Sequence, residues 1–480
     1  MIKKILLSIL ALIALLVIIV IVRTMSFTSD PVTVEKVEPI QVPEIAITRF
    51  REALTYKTIS YFEEEQRDTA EFLRFHQFLA DSYPMIDSLL EKKIFNYSVL
   101  YKWKGSDESK KGIVLMGHFD VVPVDTSTMD KWEALPFSGD LKEGKIYGRG
   151  TMDDKINVIS WMETVEILMN EGYQPEQTIF FSFGHDEEVG GDNGAKLVAD
   201  YLEEQKIDIS FVLDEGGFIA EAGMLEGLEK SLAMINTAEK GYVSYRLTIN
   251  TPGGHSSAPP SDNTIGSLAK AIVLLEENQF DYEMVPLLET QISRIGPHFT
   301  DFKAKMAFAN TWLFGEKILE GLNAHTTTAP TMIAGGVKDN VIPTEASVVV
   351  NFRIMPGETA DNVKEHIVKL IDDDRINVEV LNQSTEPSSF SDTNSDSYKL
   401  IEQTIYQLFP DVVVSPGLLG GGTDSKHFQS VADNVYRFYP TRINPDNRGG
   451  FHGNNENITV YNYFETIQFN YQLMKNLLEY

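Results

Sequence analysis

Three apolar segments of this chain each run directly into acids or a histidine, and that pattern limits the fold more than any other feature. Residues 112–116 lead into Gly117-His118-Phe119-Asp120, residues 178–183 into His185-Asp186-Glu187-Glu188, and residues 207–213 into Asp214-Glu215-Gly216-Gly217. Short runs rich in β-branched and aromatic residues read as strands. Helical periodicity stands around and between them, over 44–55, 71–83 and 157–170, where Val158, Met162, Val165 and Leu168 share a face. Alternating strands and helices predict an α/β fold with parallel strands flanked by helices. Such sheets bind ligands beyond the carboxyl ends of their strands, where all three acid and histidine groups fall. No GxxxxGK[ST] phosphate loop competes for that edge. The expectation is a metal site.

The residue types suit that chemistry. His118 supplies an imidazole, and Asp120, two residues on, lies on the same side of an extended segment. A carboxylate there can accept the second ring N–H and fix the tautomer. Asp153, just ahead of a helix, has two readings: a helix cap, or a carboxylate shared by two metals. Glu187 and Glu188 are adjacent, so their side chains diverge. One can ligate while the other acts as general base, and spacing alone does not say which. Asp214 can complete one metal. His452 is a ligand candidate from far along the chain.

Charge and composition close off other classes. Lys plus Arg number 41 against 70 Asp plus Glu, a net charge of −29. Binding to nucleic acid needs clustered basic residues, so none is expected. Cysteine is absent, which removes disulfides, thiolate metal sites and a cysteine nucleophile. Residues 5–22 are unbroken in apolar character, with Ser8 the one hydroxyl. Helical, they span about 27 Å, close to a bilayer core. Lys3 and Lys4 precede the run, Arg23 follows it, and no small-x-small cleavage site appears. The expectation is an uncleaved membrane anchor with an exported body, periplasmic, extracellular or luminal. A removed signal peptide and a secreted protein form the alternative. Residues 26–44 carry Pro31, Pro39 and Pro43 and read as a stalk.

An ordered set of motifs runs through the rest: Gly117-His118-Phe119-Asp120-Val121-Val122-Pro123, Gly148-Arg149-Gly150-Thr151-Met152-Asp153-Asp154-Lys155, Asp186-Glu187-Glu188-Val189-Gly190-Gly191 and Asp214-Glu215-Gly216. Pro252-Gly253-Gly254-His255-Ser256-Ser257, Asn340-Val341-Ile342-Pro343, Gly421-Gly422-Thr423-Asp424-Ser425 and His452-Gly453 follow. The set resembles the zinc-dependent aminoacylase and carboxypeptidase S family, whose relatives include acetylornithine deacetylase and succinyl-diaminopimelate desuccinylase. The likeness covers about residues 52–480. Residues 326–331 and the long segment before them look most like the carboxypeptidase S branch, which includes secreted hydrolases of N-fatty-acyl amino acids.

The resemblance implies a zinc-exopeptidase-like mixed sheet flanked by helices, with an inserted α+β lid of the dimerisation type. It implies two zinc ions per chain, and cobalt or manganese suits the same ligands. His118 and Asp214 would hold one zinc, Glu188 and His452 the other, and Asp153 would bridge them. Glu187 would be the base, Asp120 would orient His118, and the Asp153–Asp154 peptide would be cis. His255 would donate to the oxyanion. Asn340 and Arg353 would meet the substrate carboxylate or carbonyl, although Arg353 also reads as a lid salt bridge. Gly421 and Gly422 would admit substrate close to the backbone, and Thr423 would donate a hydrogen bond there. His185 and His427 read as structural.

Residues 241–250 and 346–354 alternate as half-covered strands, and 265–276 and 360–373 read as helices. The expected organisation is an anchor or signal over 1–24, a stalk over 25–44, a catalytic domain over 45–239 and 386–480, and a lid over 240–385. Within the lid, 279–321 is either a structural elaboration or a hydrophobic wall for an acyl or aromatic group. The expected activity is amide hydrolysis through a metal-bound hydroxide, with Glu187 moving the proton. It would release a C-terminal amino acid from a peptide, or the acyl group from an N-acyl amino acid. The implied partners are that substrate, the membrane, and a second copy through the lid. A membrane-tethered, non-catalytic, metal-containing peptide-binding protein is the rival, and an intact base at Glu187 argues against it.

Overall fold

The strand Gly112–His118 shows why the central sheet forms. Ile113 and Leu115 enter one buried cluster with Phe181, Phe183, Phe211 and Leu213. Val114 and Met116 enter a second with Phe180, Val198, Leu202 and Val212. Both faces of the strand are covered, so its sequence is continuously apolar and not alternating. Each such side chain contributes about 1.5–3 kcal/mol on leaving water. The chain is seen in a computed structural model that describes residues 2–29, 34–381, 384–478 and 480.

The sheet has ten strands. From one edge they run Glu91–Phe95, Ser98–Trp103, Ile179–Gly184, Gly112–His118, Ile209–Asp214, Ala432–Arg437, Leu232–Glu239, Ile219–Ala220 and Arg442–Ile443, with Val413–Leu419 also on Leu232–Glu239. Ile179–Gly184, Gly112–His118, Ile209–Asp214 and Ala432–Arg437 are mutually parallel, and strands beside them are antiparallel. The fold is thus mixed α/β, with helices such as Lys155–Asn170, Ala195–Glu204 and Val460–Asn476 against the sheet.

A second sheet has a core of its own. Its order is Thr327–Gly335, Glu345–Ile354, Gly241–Asn250, Ile376–Val380, all antiparallel. Val243, Tyr245, Leu247 and Ile249 pack with Leu268 and Leu275 of the helix Thr264–Glu277 and with Val363 and Ile367 of Ala360–Ile371. Arg246 and Asn250, on the other face, are exposed. The chain passes between the two sheets side by side, because Ser388 N–H donates to Glu239 O and Tyr242 bridges Thr385.

Residues 279–321 carry the helices Pro286–Ile295, Phe302–Ala309 and Thr311–Gly321. Leu287, Leu288 and Leu319 bury against Met355 and Leu418, which ties this insertion to both sheets. The N-terminal helix is Ile2–Ser26. Over eighteen residues its mean hydropathy is 3.6, and 6% of that window is buried. It is long and apolar enough to cross a membrane. Of the stalk expected over 25–44, residues 30–33 lie outside the described ones.

Candidate metal centre

His118 closes its strand, and its ring is fixed from behind. Nδ1 lies 3.1 Å from the Asp120 carbonyl and 3.3 Å from Asp120 Oδ1. Asp120 is wholly buried and also accepts the backbone N–H groups of Glu187 and Glu188 and the Ser60 hydroxyl. One carboxylate therefore sets both the imidazole and the Glu187-Glu188 turn. In front, Nε2 meets three carboxylates: Asp153 Oδ1 at 3.0 Å, Glu215 Oε1 at 3.3 Å and Glu187 Oε2 at 3.8 Å. On the far side of Asp153, Oδ2 lies 3.1 Å from His452 Nε2, which lies 3.1 Å from Glu188 Oε2. The Asp153–Asp154 peptide is cis.

So many acids in one buried place ionise together only beside cations. Burial, with Asp153 next to it, pushes Glu188 up to about 7. Burial and Asp153 push Glu215 up to about 8, against the pull of His118. Glu187 is raised well above the usual carboxylate range by burial and by Glu215, Glu188 and Asp424. Hydrogen bonds to Asp153 and Glu188 raise His452 to about 10. Glu188 Oε1 is buried without a hydrogen-bond partner. His118, Asp153 and Glu188, and likewise His118, Asp154 and Glu215, bring ligand atoms close enough to hold a metal ion. Carboxylates and imidazoles together are a zinc-type donor set.

The two halves of the centre come from distant sequence. The strand Asn457–Thr459 pairs with Lys145–Tyr147, which places the His452 loop against the Asp153 loop. Glu456 then locks them. Its buried carboxylate accepts the N–H groups of Gly150, Met152 and Asp153 and pairs with Arg149 at 2.7 Å. Gly150 sits at φ +91, a conformation open to glycine. His452 itself is held at φ +54, strained for a residue with a side chain.

Several expected roles are placed differently. The resemblance implies Asp214 beside His118, whereas the second carboxylate near His118 Nε2, after Asp153, is Glu215 at 3.3 Å. Asp214 Oδ2 instead accepts the Ser425 N–H at 2.9 Å, which holds it to the turn Asp424–Phe428. Glu215→Gln is accordingly expected to lower metal content measured by mass spectrometry, and Asp214→Asn to leave it nearly unchanged. The reverse pattern would restore Asp214 as the ligand.

Thr423 is buried, and its hydroxyl donates to Glu239, which also pairs with the buried Arg437. Gly421 and Gly422 border open space. Arg353 lies 4.9 Å over the Tyr242 ring, its cross-strand neighbour in the four-stranded sheet. His255 and Asn340 sit together on an exposed two-stranded ribbon, where Ser256 N–H donates to Asn340 O. No hydrogen bond or ion pair among the described residues links either to the metal centre. His185 bonds to Ser98 Oγ and His427 to Gly190 O, both within the fold.

The profile of Peptidase family M20/M25/M40 matches residues 114–476. "Probable carboxypeptidase S-like 2" of Dictyostelium discoideum is 38% identical over 478 residues, covering 95% of this chain and 91% of that protein. "N-fatty-acyl-amino acid synthase/hydrolase PM20D1" of Xenopus tropicalis is 36% identical over 444 residues, covering 88% and 84%. The M20 family metallo-carboxypeptidase Sso-CP2 from Sulfolobus solfataricus superposes with a TM-score of 0.69 at 19% identity, over 91% of this chain and all of that one, a likeness of fold.

Proposed function

The chain belongs to peptidase family M20/M25/M40 and is a hydrolytic enzyme, and from that premise we propose that it is a dinuclear zinc amidohydrolase that frees an amino acid from its acyl or peptidyl partner. The observation that carries this is Asp153, whose two oxygens lie 3.0 and 3.1 Å from the imidazoles of two different histidines. His118, Glu215 and one oxygen of Asp153 would hold one zinc ion; His452, Glu188 and the other oxygen would hold the second. Bound there, the metals would polarise the scissile carbonyl and make a water acidic.

This chain's own groups then divide the work. Glu187 takes the water proton and returns it to the leaving nitrogen, because its carboxylate stands at the rim of the centre, 3.8 Å from His118 Nε2. His255 Nδ1 accepts the Ser257 N–H at 3.1 Å, so the ring proton sits on Nε2. That proton suits donation to the oxyanion once the lid unit, residues 240–385, carries it to the centre. The lid edge strand Thr327–Gly335 leaves Met332 61% and Ile333 70% exposed, which favours a homodimer through this edge. The helix Ile2–Ser26 would anchor the enzyme with its catalytic body exported.

Two relatives are named for carboxypeptidase and for N-fatty-acyl-amino acid hydrolysis, which share the amide bond and differ on its acyl side. The test uses the full chain in detergent on dipeptides, N-acetyl and N-oleoyl amino acids, before and after chelation. Two zinc ions per chain and cleavage lost on chelation and regained with zinc are expected. Cleavage indifferent to the chelator would overturn the metal reading, and the preferred substrate selects the acyl side.

A further inference from the structure

The insertion 279–321 meets the N-terminal helix at one level. Nearly all of Ile2–Ser26 is exposed, and its buried residues are Val20 and Thr24. Asn310, between the helices Phe302–Ala309 and Thr311–Gly321, covers them: its Nδ2 lies 3.2 Å from Thr24 Oγ1 and 3.4 Å from Val20 O. Arg23 Nε donates to Ala309 O at 3.3 Å. The Phe27 ring packs onto Gly296 beside Phe308. The apolar run ends at Val22. Val20 and Thr24 bracket that end, within about 6 Å along the helix axis.

We propose that the Phe302–Ala309 and Thr311–Gly321 helices form a platform seated in the bilayer interface beside the anchor, with phospholipid as its partner. The proposal rests on reading Ile2–Ser26 as a membrane anchor. An anchor whose apolar run ends at Val22 places Ala309 to Trp312 at the boundary between headgroups and acyl chains. There the platform exposes Trp312 by 53% and Leu313 by 48%, and Phe302, at the far end of its helix, is 54% exposed. Indole and phenyl rings favour that boundary, where an apolar body meets a wet surface. Along Thr311–Gly321 the exposed side chains change from Trp312 and Leu313 to Glu316, Lys317 and Glu320. Its first turn enters the interface and the remainder leaves it, in the manner of an interfacial amphipathic helix. The net charge of −29 opposes anionic lipid, so apolar burial and not charge supplies the attraction. The third helix of the insertion, Pro286–Ile295, packs on Val413–Leu419, the strand that leads to Gly421 and Thr423. The platform would thus hold one edge of the catalytic sheet at a set distance from the membrane, which suits a substrate with an acyl chain.

The tryptophans make this measurable. Trp103, Trp132 and Trp161 are 5%, 9% and 2% exposed, so Trp312 is the indole that lipid can reach. The full chain is reconstituted into phosphatidylcholine vesicles with and without bromine on the acyl chains near the headgroup. Alkaline carbonate extraction is run on the same vesicles to test the anchor. The expected result is membrane-retained protein whose Trp312 share of the emission is quenched by brominated lipid, and no quenching in Trp312→Phe. Retained protein without quenching, or quenching unchanged in Trp312→Phe, would overturn the platform and leave the anchor standing. Protein released by carbonate would overturn both.

Discussion

Glu187→Gln is expected to keep its metal and to lose about 10²–10⁴-fold in kcat, with KM little changed. Gln has the size and most of the hydrogen-bonding capacity of Glu, but it cannot take a proton from water. The backbone around it is held independently, because the residue 187 and 188 amides both donate to Asp120. The substitution therefore removes the proton carrier without moving the turn that presents Glu188. A fall in kcat with KM unchanged marks a group used in the transition state and not in binding. Two outcomes would overturn the assignment. Turnover within a few-fold of the parent would shift the base role to another acid near His118 Nε2, such as Glu215 at 3.3 Å. Loss of metal would make Glu187 a ligand.

The sequence exposed this centre unevenly, for physical reasons. The strands Gly112–His118, Ile179–Gly184 and Ile209–Asp214 were legible because both their faces are buried, which writes continuous apolar runs into the chain. The strands of the second sheet were legible for the opposite reason: one face is wet, and Gly241–Asn250 alternates. The choice between Asp214 and Glu215 was not legible. Regular alternation stops where a strand ends, and both acids are buried: Asp214 accepts the Ser425 N–H, 211 residues away, while Glu215 faces His118. Glu456 was hidden by a still longer separation, 303 to 307 residues from its partners. It stands in a stretch that reads as a loop, and nothing local announces that four donors from residues 149–153 converge on it. Nothing local shows that the Thr423 hydroxyl donates to the buried Glu239, 184 residues away. His255 carries a chemical signal, but whether it meets the centre depends on how two sheets are set, which no local pattern encodes.

Glu456→Ala is expected to destabilise the chain by about 3–5 kcal/mol, the range for removing one partner of a buried ion pair, and to weaken metal binding about 10–100-fold. Arg149 is 2% exposed and would lose the carboxylate 2.7 Å from its Nη1. The Gly150, Met152 and Asp153 amides would lose their common acceptor in the same step. Each buried amide left unmade adds about 1–3 kcal/mol at most, and these costs overlap because one relaxation of the loop serves all three. Metal binding suffers because residues 149–153 aim Asp153, while Glu456 belongs to the loop that carries His452. Once the tie is cut, the two histidine sides of Asp153 must be brought together by the metals, and that ordering is subtracted from their affinity. Glu456→Gln separates the two effects. It restores acceptors for the amides while leaving the Arg149 charge unpaired, so it should recover more metal affinity than stability. Stability is read from urea unfolding, and affinity from competition with a chelator. If Glu456→Ala lost stability yet bound metal as the parent does, the Asp153 loop would be self-supporting, and Glu456 would serve the fold without positioning the centre.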